Sequence, residues 1–332
     1  MTAVFAGYMG IGEEPDFGAA EAPPEVFEEI LSESIMMNNN FIRPDLADGA
    51  GHRDIAVPGS ISAGGGIEMQ LRPDGATPWI MKGIFGQVSS VEVEPGVYDH
   101  TFSPAHVQCL PSFGISMVDV AGTGQTWLGC TFSSATLSVA RSRAVGLRLN
   151  LIAQRPCESP AAAEPVFSGI PPWTGHSFAF TLNGEPNVKF ENFTITFSND
   201  IEAVHTLNGT RYCSSHCAKG FDLSGSITLE FETEAERRRL WGSLTATGPR
   251  NTVEPGSIAV TATHDNEAAP GRRFELSIDA PQIYYESAPA GISHTADRVL
   301  QTISFFPARN RTAPVPAALT MRNSDSGYPD PA

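Results

Sequence analysis

The feature that most limits what this chain can fold into is that it repeats itself. Gly66-Ile67-Glu68-Met69-Gln70-Leu71 resembles Ser226-Ile227-Thr228-Leu229-Glu230-Phe231, about 160 residues further on. In both segments apolar and polar residues alternate, the period of a strand with one buried face. The same spacing carries Ile80 onto Leu240 and Ile84 onto Leu244, in stretches that read as a short helix after the strand. Thr77 followed by Pro78 suits a helix start in the first copy. Thr233-Glu234-Ala235-Glu236 has the capping-box pattern in the second. Arg237-Arg238-Arg239 then falls late in the helix, where cations suit the dipole, and reads as a solvated face. Phe113-Gly114-Ile115-Ser116-Met117-Val118-Asp119 resembles Phe274-Glu275-Leu276-Ser277-Ile278-Asp279-Ala280 at nearly the same spacing. Phe27-Glu28-Glu29-Ile30 falls near Phe190-Glu191-Asn192-Phe193, and the strands at 147–151 and 302–305 match in pattern. Recurrence in order at a near-constant spacing marks an internal repeat. The expected division is a first unit at 1–155 with an N-terminal arm, a Pro- and Ala-rich linker at 156–174, a second unit at 175–325 and a flexible tail at 326–332.

Composition agrees with units built from short strands. The 332 residues include 31 Gly and 26 Pro, and only 17% are charged. That balance disfavours helical bundles and favours an all-β fold with short helices, joined by Gly/Pro turns. The net charge is −16, and the lysines are Lys82, Lys189 and Lys219. A protein that grips nucleic-acid phosphates needs clustered cations, so groove or backbone binding is excluded. The first residues lack the basic and apolar regions of a secretory signal. No apolar run approaches the ~20 residues that span a membrane.

The chemical motifs are absent or incomplete. There is no Gly-x-Ser-x-Gly elbow and no His-Glu-x-x-His helix. Gly122-Thr123-Gly124-Gln125-Thr126 lacks the lysine of a phosphate loop, and Gly64-Gly65-Gly66 reads as a turn or bulge before a strand. Glu13-Glu14 and Glu28-Glu29 are sequence neighbours, which point to opposite faces of a strand. Cys213-Ser214-Ser215-His216-Cys217, with His205 upstream, leaves three readings open: a zinc site, a disulfide-closed loop, or a loop with unpaired thiols. The missing second cysteine pair favours the last. Trp127, Trp173 and Trp241 lie beside apolar residues and suit core or interface packing better than sugar stacking. No acid, base and nucleophile set can be assembled, so the chain is expected to be no enzyme and to need no cofactor or metal.

The opening stretch Gly7-Tyr8-Met9-Gly10-Ile11-Gly12-Glu13-Glu14-Pro15-Asp16-Phe17-Gly18 resembles that of tail tube (major tail) proteins of long-tailed bacteriophages. Tyr98-Asp99-His100-Thr101-Phe102, the segment Phe193–Glu202 with its Asn-Asp turn, and Leu276–Ile283 with a closing Ala318–Asn323 resemble later strands of the same family. The Asp45–Gly64 and Cys213–Cys217 loops have no counterpart in that pattern. The resemblance implies two tandem β-sandwich or barrel units, each with a flanking helix, in a structural virion protein. It implies self-assembly into stacked rings around a lumen through which viral DNA passes unbound during ejection. Tape measure, tail terminator and baseplate proteins are the implied partners, with assembly in the host cytoplasm. Two units per chain favour a trimeric ring with pseudo-sixfold symmetry. The acidic balance suggests a lumen lined by carboxylates, which would not hold phosphates. The arm, with Phe5, Tyr8, Met9, Ile11 and Phe17 among glycines, shows no helix or strand period and is expected to be mobile until it docks on a neighbouring subunit. The competing readings are a carbohydrate-binding or adhesin β-sandwich, a tube or collar component of another tail-like particle, and a hydrolase on a β-scaffold.

Overall fold

The computed structural model describes residues 7–19, 24, 26–44, 56–104, 110–118, 124–158, 165–186, 189–289, 299–308 and 316–328. Its first half runs β1 (Tyr8–Glu13), β2 (Val26–Glu33), β3 (Met36–Ile42), β4 (Val57–Gln70), α1 (Ala76–Phe85), β5 (Gly86–Glu94), β6 (Val97–Pro104), β7 (Phe113–Val118), β8 (Gly124–Ala140), β9 (Gly146–Ala153) and β10 (Arg155–Glu158). The second half runs β11 (Phe178–Leu182), β12 (Glu185–Pro186), β13 (Phe190–Val204), β14 (Ser215–Glu230), α2 (Ala235–Leu240), β15 (Gly256–Ala269), β16 (Arg272–Ser287), β17 (Leu300–Pro307) and β18 (Ala318–Asn323). The protein is all-β with short helices, as its composition and alternation require.

Six strands of the first half close on themselves. β1 pairs with β2, β2 with β4, β4 with β9, β9 with β8, β8 with β7, and β7 with β1, all antiparallel. Closure removes the sheet edge that an open set of strands would expose. β9 shows how the sequence does this. Leu147, Leu149 and Leu151 are buried, while Arg148 and Asn150 between them face out. Each buried leucine contributes ~2 kcal/mol of apolar burial.

Helix α1 packs into this barrel with almost every residue buried. Gly83 is what lets it approach. A Cβ there would lie 2.6 Å from the ring of Phe132 and 2.7 Å from that of Phe113. The helix begins at Ala76, so Thr77 is its second residue rather than its cap. The buried Glu28 carboxylate takes the capping place, accepting from the Ala76 amide at 3.4 Å and pairing with Arg72 at 3.0 Å. α2 is shorter. Thr233 Oγ1 accepts from the Ala235 amide, but Glu236 turns away to accept the Tyr285 hydroxyl at 2.6 Å, so only half of the capping box forms.

The second half repeats the strand order. β3–β4–β9–β8–β7 in the first half corresponds to β13–β14–β17–β16–β15 in the second. This order pairs β7 with β15, whereas the sequence similarity had aligned Phe113–Asp119 with residues of β16. The first half carries an extra hairpin, β5–β6, between helix and strand; residues 241–255 form none. Two period-two strands look alike whatever their place in a sheet, and the spacing alone led one strand astray.

Hydrogen bonding runs unbroken between the halves. The last part of β8 pairs with β13, and β18 pairs with β6. Asn199 on β13 is buried and donates to the carbonyls of Ile84 and Phe132, at 2.9 and 3.3 Å. Arg322 on β18 forks onto Asp99 of β6 at 2.7 and 3.0 Å and reaches Glu275 of β16 at 2.6 Å. The described part of the 156–174 segment is docked: β10 pairs with β8, and Trp173, fully buried, donates its amide to the Leu71 carbonyl. At the C-terminus Tyr328 is buried against Trp79 and His100.

Two buried charges yield predictions. Lys82 of α1 and Glu13 of β1 lie 2.6 Å apart, each side chain under 5% exposed. Removing one partner takes this buried ion pair from the other charge, at about 3–5 kcal/mol. Lys82→Met is therefore expected to lower the denaturation midpoint sharply, and adding Glu13→Gln to restore part of the loss. Glu28 differs in sign. Burial pushes its carboxyl from 4.5 up to about 7 despite the Arg72 guanidinium beside it. The folded state then holds a proton that the unfolded chain releases, so the contribution of Glu28 to stability is fully present below pH 4.5 and is lost as pH rises through about 7. Glu28→Gln is expected to flatten that part of the stability–pH curve, measured by urea denaturation between pH 4.5 and 7.5.

Candidate functional site

Eight strands, β3–β4–β9–β8–β13–β14–β17–β16, form one continuous antiparallel sheet across both halves. Its inner face carries the core, including Ile67, Leu149, Leu137, Ile195, Ile227 and Ile303. Alternation puts the intervening residues on the outer face, and they are mostly hydroxyls. One row across the strands reads Gly146, Ser138, Thr194, Ser226, Ser304. The next reads Glu68, Arg148, Thr136, Thr196, Ser224.

These side chains satisfy one another. Thr136 and Thr196 hydroxyls meet at 3.0 Å, Thr228 and Thr302 at 3.1 Å, and Asn150 donates to Ser134 at 2.9 Å. Cross-strand hydroxyl pairs of this kind stabilise a sheet modestly. Glu68 and Arg148 sit 3.7 Å apart and cancel in charge. Asp222 stands in the row after these, opposite Ser198, while Asp200 and Glu230 lie further out along their strands. Such a face offers weak hydrogen bonds and no cluster of cations, so it has little means of retaining a polyanion.

The composite sheet has two free ends. At one, the outer side of β3 is unpaired among the described residues, and Met36, Met37, Phe41 and Ile42 are all exposed. At the other, the end of β16, from Tyr284 to Ser287, pairs only with β17 among the described residues.

The residue types, the strand order and the free ends together fit a subunit built to associate, and the sequence comparison agrees. The family described as phage tail tube protein matches residues 5–305. The chain belongs to the phage tail tube family. No curated protein matches it. As a tail tube protein it is a structural component of the bacteriophage virion's tail, and membership of this family implies self-assembly and contact with other tail proteins. Among the described residues no helix is long and apolar enough to cross a membrane.

The arm residues of this tail tube protein are distributed differently from the sequence reading. Phe5 lies outside the described residues. Tyr8, Met9 and Ile11 belong to β1, hydrogen-bonded on both sides, with Met9 and Ile11 buried in the barrel. Phe17 packs edge-on against His216 of β14, with ring centroids 4.8 Å apart, in the same chain. Glu14 ties the segment down further, accepting from the Gly129 amide at 2.8 Å, the Ser112 hydroxyl at 2.7 Å and the Gly18 amide at 2.9 Å. The expectation of no strand period fails here for a specific reason. Met9-Gly10-Ile11-Gly12 does alternate, but its outward residues are glycines. A Cβ on Gly10 would lie 2.7 Å from Pro24.

Cys213 and Cys217 are free thiols in the structure. Cys213 Sγ lies 3.4 Å from His216 Nε2, and Thr131 Oγ1 lies 2.9 Å from His216 Nδ1. Burial pulls His216 down to about 4, so the ring is neutral at pH 7, and burial raises the Cys213 thiol. The arrangement packs the two halves together; it does not activate a nucleophile. Trp127 and Trp173 are buried, and Trp241 lies under the Arg237 guanidinium at 5.0 Å.

The hydroxyl face escaped the sequence reading although its signal is there. Ser134-Thr136-Ser138, Thr194-Thr196-Ser198, Ser224-Ser226-Thr228 and Thr302-Ser304 all alternate with apolar residues. For β1 the structure makes a definite prediction. Met9→Ala and Ile11→Ala should each cost about 2–5 kcal/mol as core truncations, read as a lowered midpoint of monomer unfolding; unchanged stability would mean β1 is not a barrel strand in solution.

Proposed function

We propose that this protein polymerises into stacked rings that form the tail tube of a long-tailed phage, with the hydroxyl face of the eight-stranded sheet lining the lumen through which DNA travels during ejection. The observation that carries the reading is the composite sheet itself: a hydroxyl-rich face without a cluster of cations, spanning both halves, with edges unpaired among the described residues at its two ends. The tandem units at 1–155 and 175–325 then act as two ring positions, and three chains make a pseudo-sixfold ring. The two central rows of this face are mostly hydroxyls, so the reading replaces the carboxylate-lined lumen suggested by composition with a largely hydroxyl-lined one. Duplex DNA would slide past hydroxyls because no lysine or arginine row is present to release its counterions. Tape measure, terminator and baseplate proteins are the proposed partners, and the host cytoplasm the proposed place of assembly. In the N-terminal stretch, the part proposed to meet a neighbouring subunit is the one that precedes β1, Phe5 included. An adhesin reading would need tryptophans exposed in a groove, and Trp127 and Trp173 are in the core.

Electron microscopy of the purified, concentrated protein tests the proposal. Hollow stacked rings with three chains each are expected. Six chains per ring would keep the tube and remove the pseudo-sixfold argument; dispersed protein that binds sugars would overturn the reading. A second expectation concerns the face. Thr136→Lys with Thr196→Lys should leave the fold intact and make assembled particles retain duplex DNA in a salt-dependent way, by gel shift at 50 and 200 mM salt. Equal retention by variant and parent would remove this face from the lumen.

A further inference from the structure

The structure contains one junction between its two repeated halves, and that junction defines what the outer ends should do. Resting on the ring reading above, we infer that the free edge formed by the end of β2 and by β3 pairs with the end of β16 in a second copy of the chain, placing Asn38 opposite Ser287.

The register follows from strand pairing alone. Ile67 pairs with Leu149 in the first half, and Ile227 with Ile303 in the second. These pairs fix β4 on β14 and β9 on β17. Carried one strand outward, Asn150 pairs with Ser134, and its counterpart Ser304 pairs with Ser287. Both β8 and β16 then have a register irregularity at the same place, between Phe132 and Ser134 and between Tyr285 and Ser287. The next residues, Ala135 and Ala288, are both buried. Ser134 and Ser287 are thus equivalent.

Carried outward in the other direction, Ser198 pairs with Asp222, and its counterpart Asn38 pairs with Ser62. Within the chain Ser198 pairs with Ser134. The equivalent pairing, Asn38 with Ser287, cannot form within one chain. The two residues sit at opposite ends of an eight-stranded sheet, seven spacings of about 4.8 Å apart. A neighbouring copy can supply it.

Burial points the same way. Phe197 is fully buried beneath the β8–β13 junction, whereas its counterpart Met37 is 38% exposed and Met36 57%. A strand laid along β3 would cover them and cap an unpaired edge, which monomeric proteins otherwise protect. The contact is head-to-tail, joining β3 of one copy to β16 of the next, the type that closes into rings.

Cysteine cross-linking tests this. Asn38→Cys and Ser287→Cys in one chain, oxidised under mild conditions, should give covalent dimers and higher species, while either single variant should give none of that ladder. Met37→Cys with Ala288→Cys serves as a second pair in the same register, should the first variant fold poorly. Absence of the ladder in both double variants would overturn the pairing. Micrographs of the same samples separate the two levels: rings without cross-links reject only this edge contact, and the absence of both rejects the ring reading with it.

Discussion

Strand β8 is the element on which the rest depends. It is long enough, at 17 residues, to serve two sheets in succession. Its first part closes the barrel against β7, and its last part, still paired with β9, takes β13 on its other edge. Because one strand does both, the second half is held in fixed register to the first. Asn199 and the cluster of Phe85, Phe102, Phe197 and Phe221 fill the angle beneath that junction. The outer face of the composite sheet is consequently one surface, not two.

That surface is rich in hydroxyls although the protein as a whole is strongly acidic. Several Ser and Thr hydroxyls in its rows bond across the strands, and Glu68 and Arg148 offset each other in charge. The few buried charges have local partners: Glu13 has Lys82, Glu28 has Arg72, and Glu14 has three donors. None of these needs a ligand to account for it.

Much of this was legible in the sequence. Alternation in β4, β9 and β14 gave strands with the correct buried residues, the helices were placed within a few residues, and the opening and closing motifs pointed to the family. What failed did so for physical reasons. Gly10 and Gly12 hid the period of β1, because a glycine facing a close neighbour reads as loop. Phe113–Val118 and the start of β16 share a pattern that any half-buried strand has, and an extra hairpin shifted the true correspondence. Glu28 took the cap position on α1 from 48 residues away, which no local pattern could reveal. The hydroxyl rows are periodic in the sequence, but only the register of eight strands makes them a face.

The most direct test of this account is a cryo-EM reconstruction of the assembled protein, in which the radial position of Thr136 and Thr196 is read from the map. The account predicts both side chains on the inner wall, with three chains closing each ring. Both on the outer wall, or buried between rings, would contradict it.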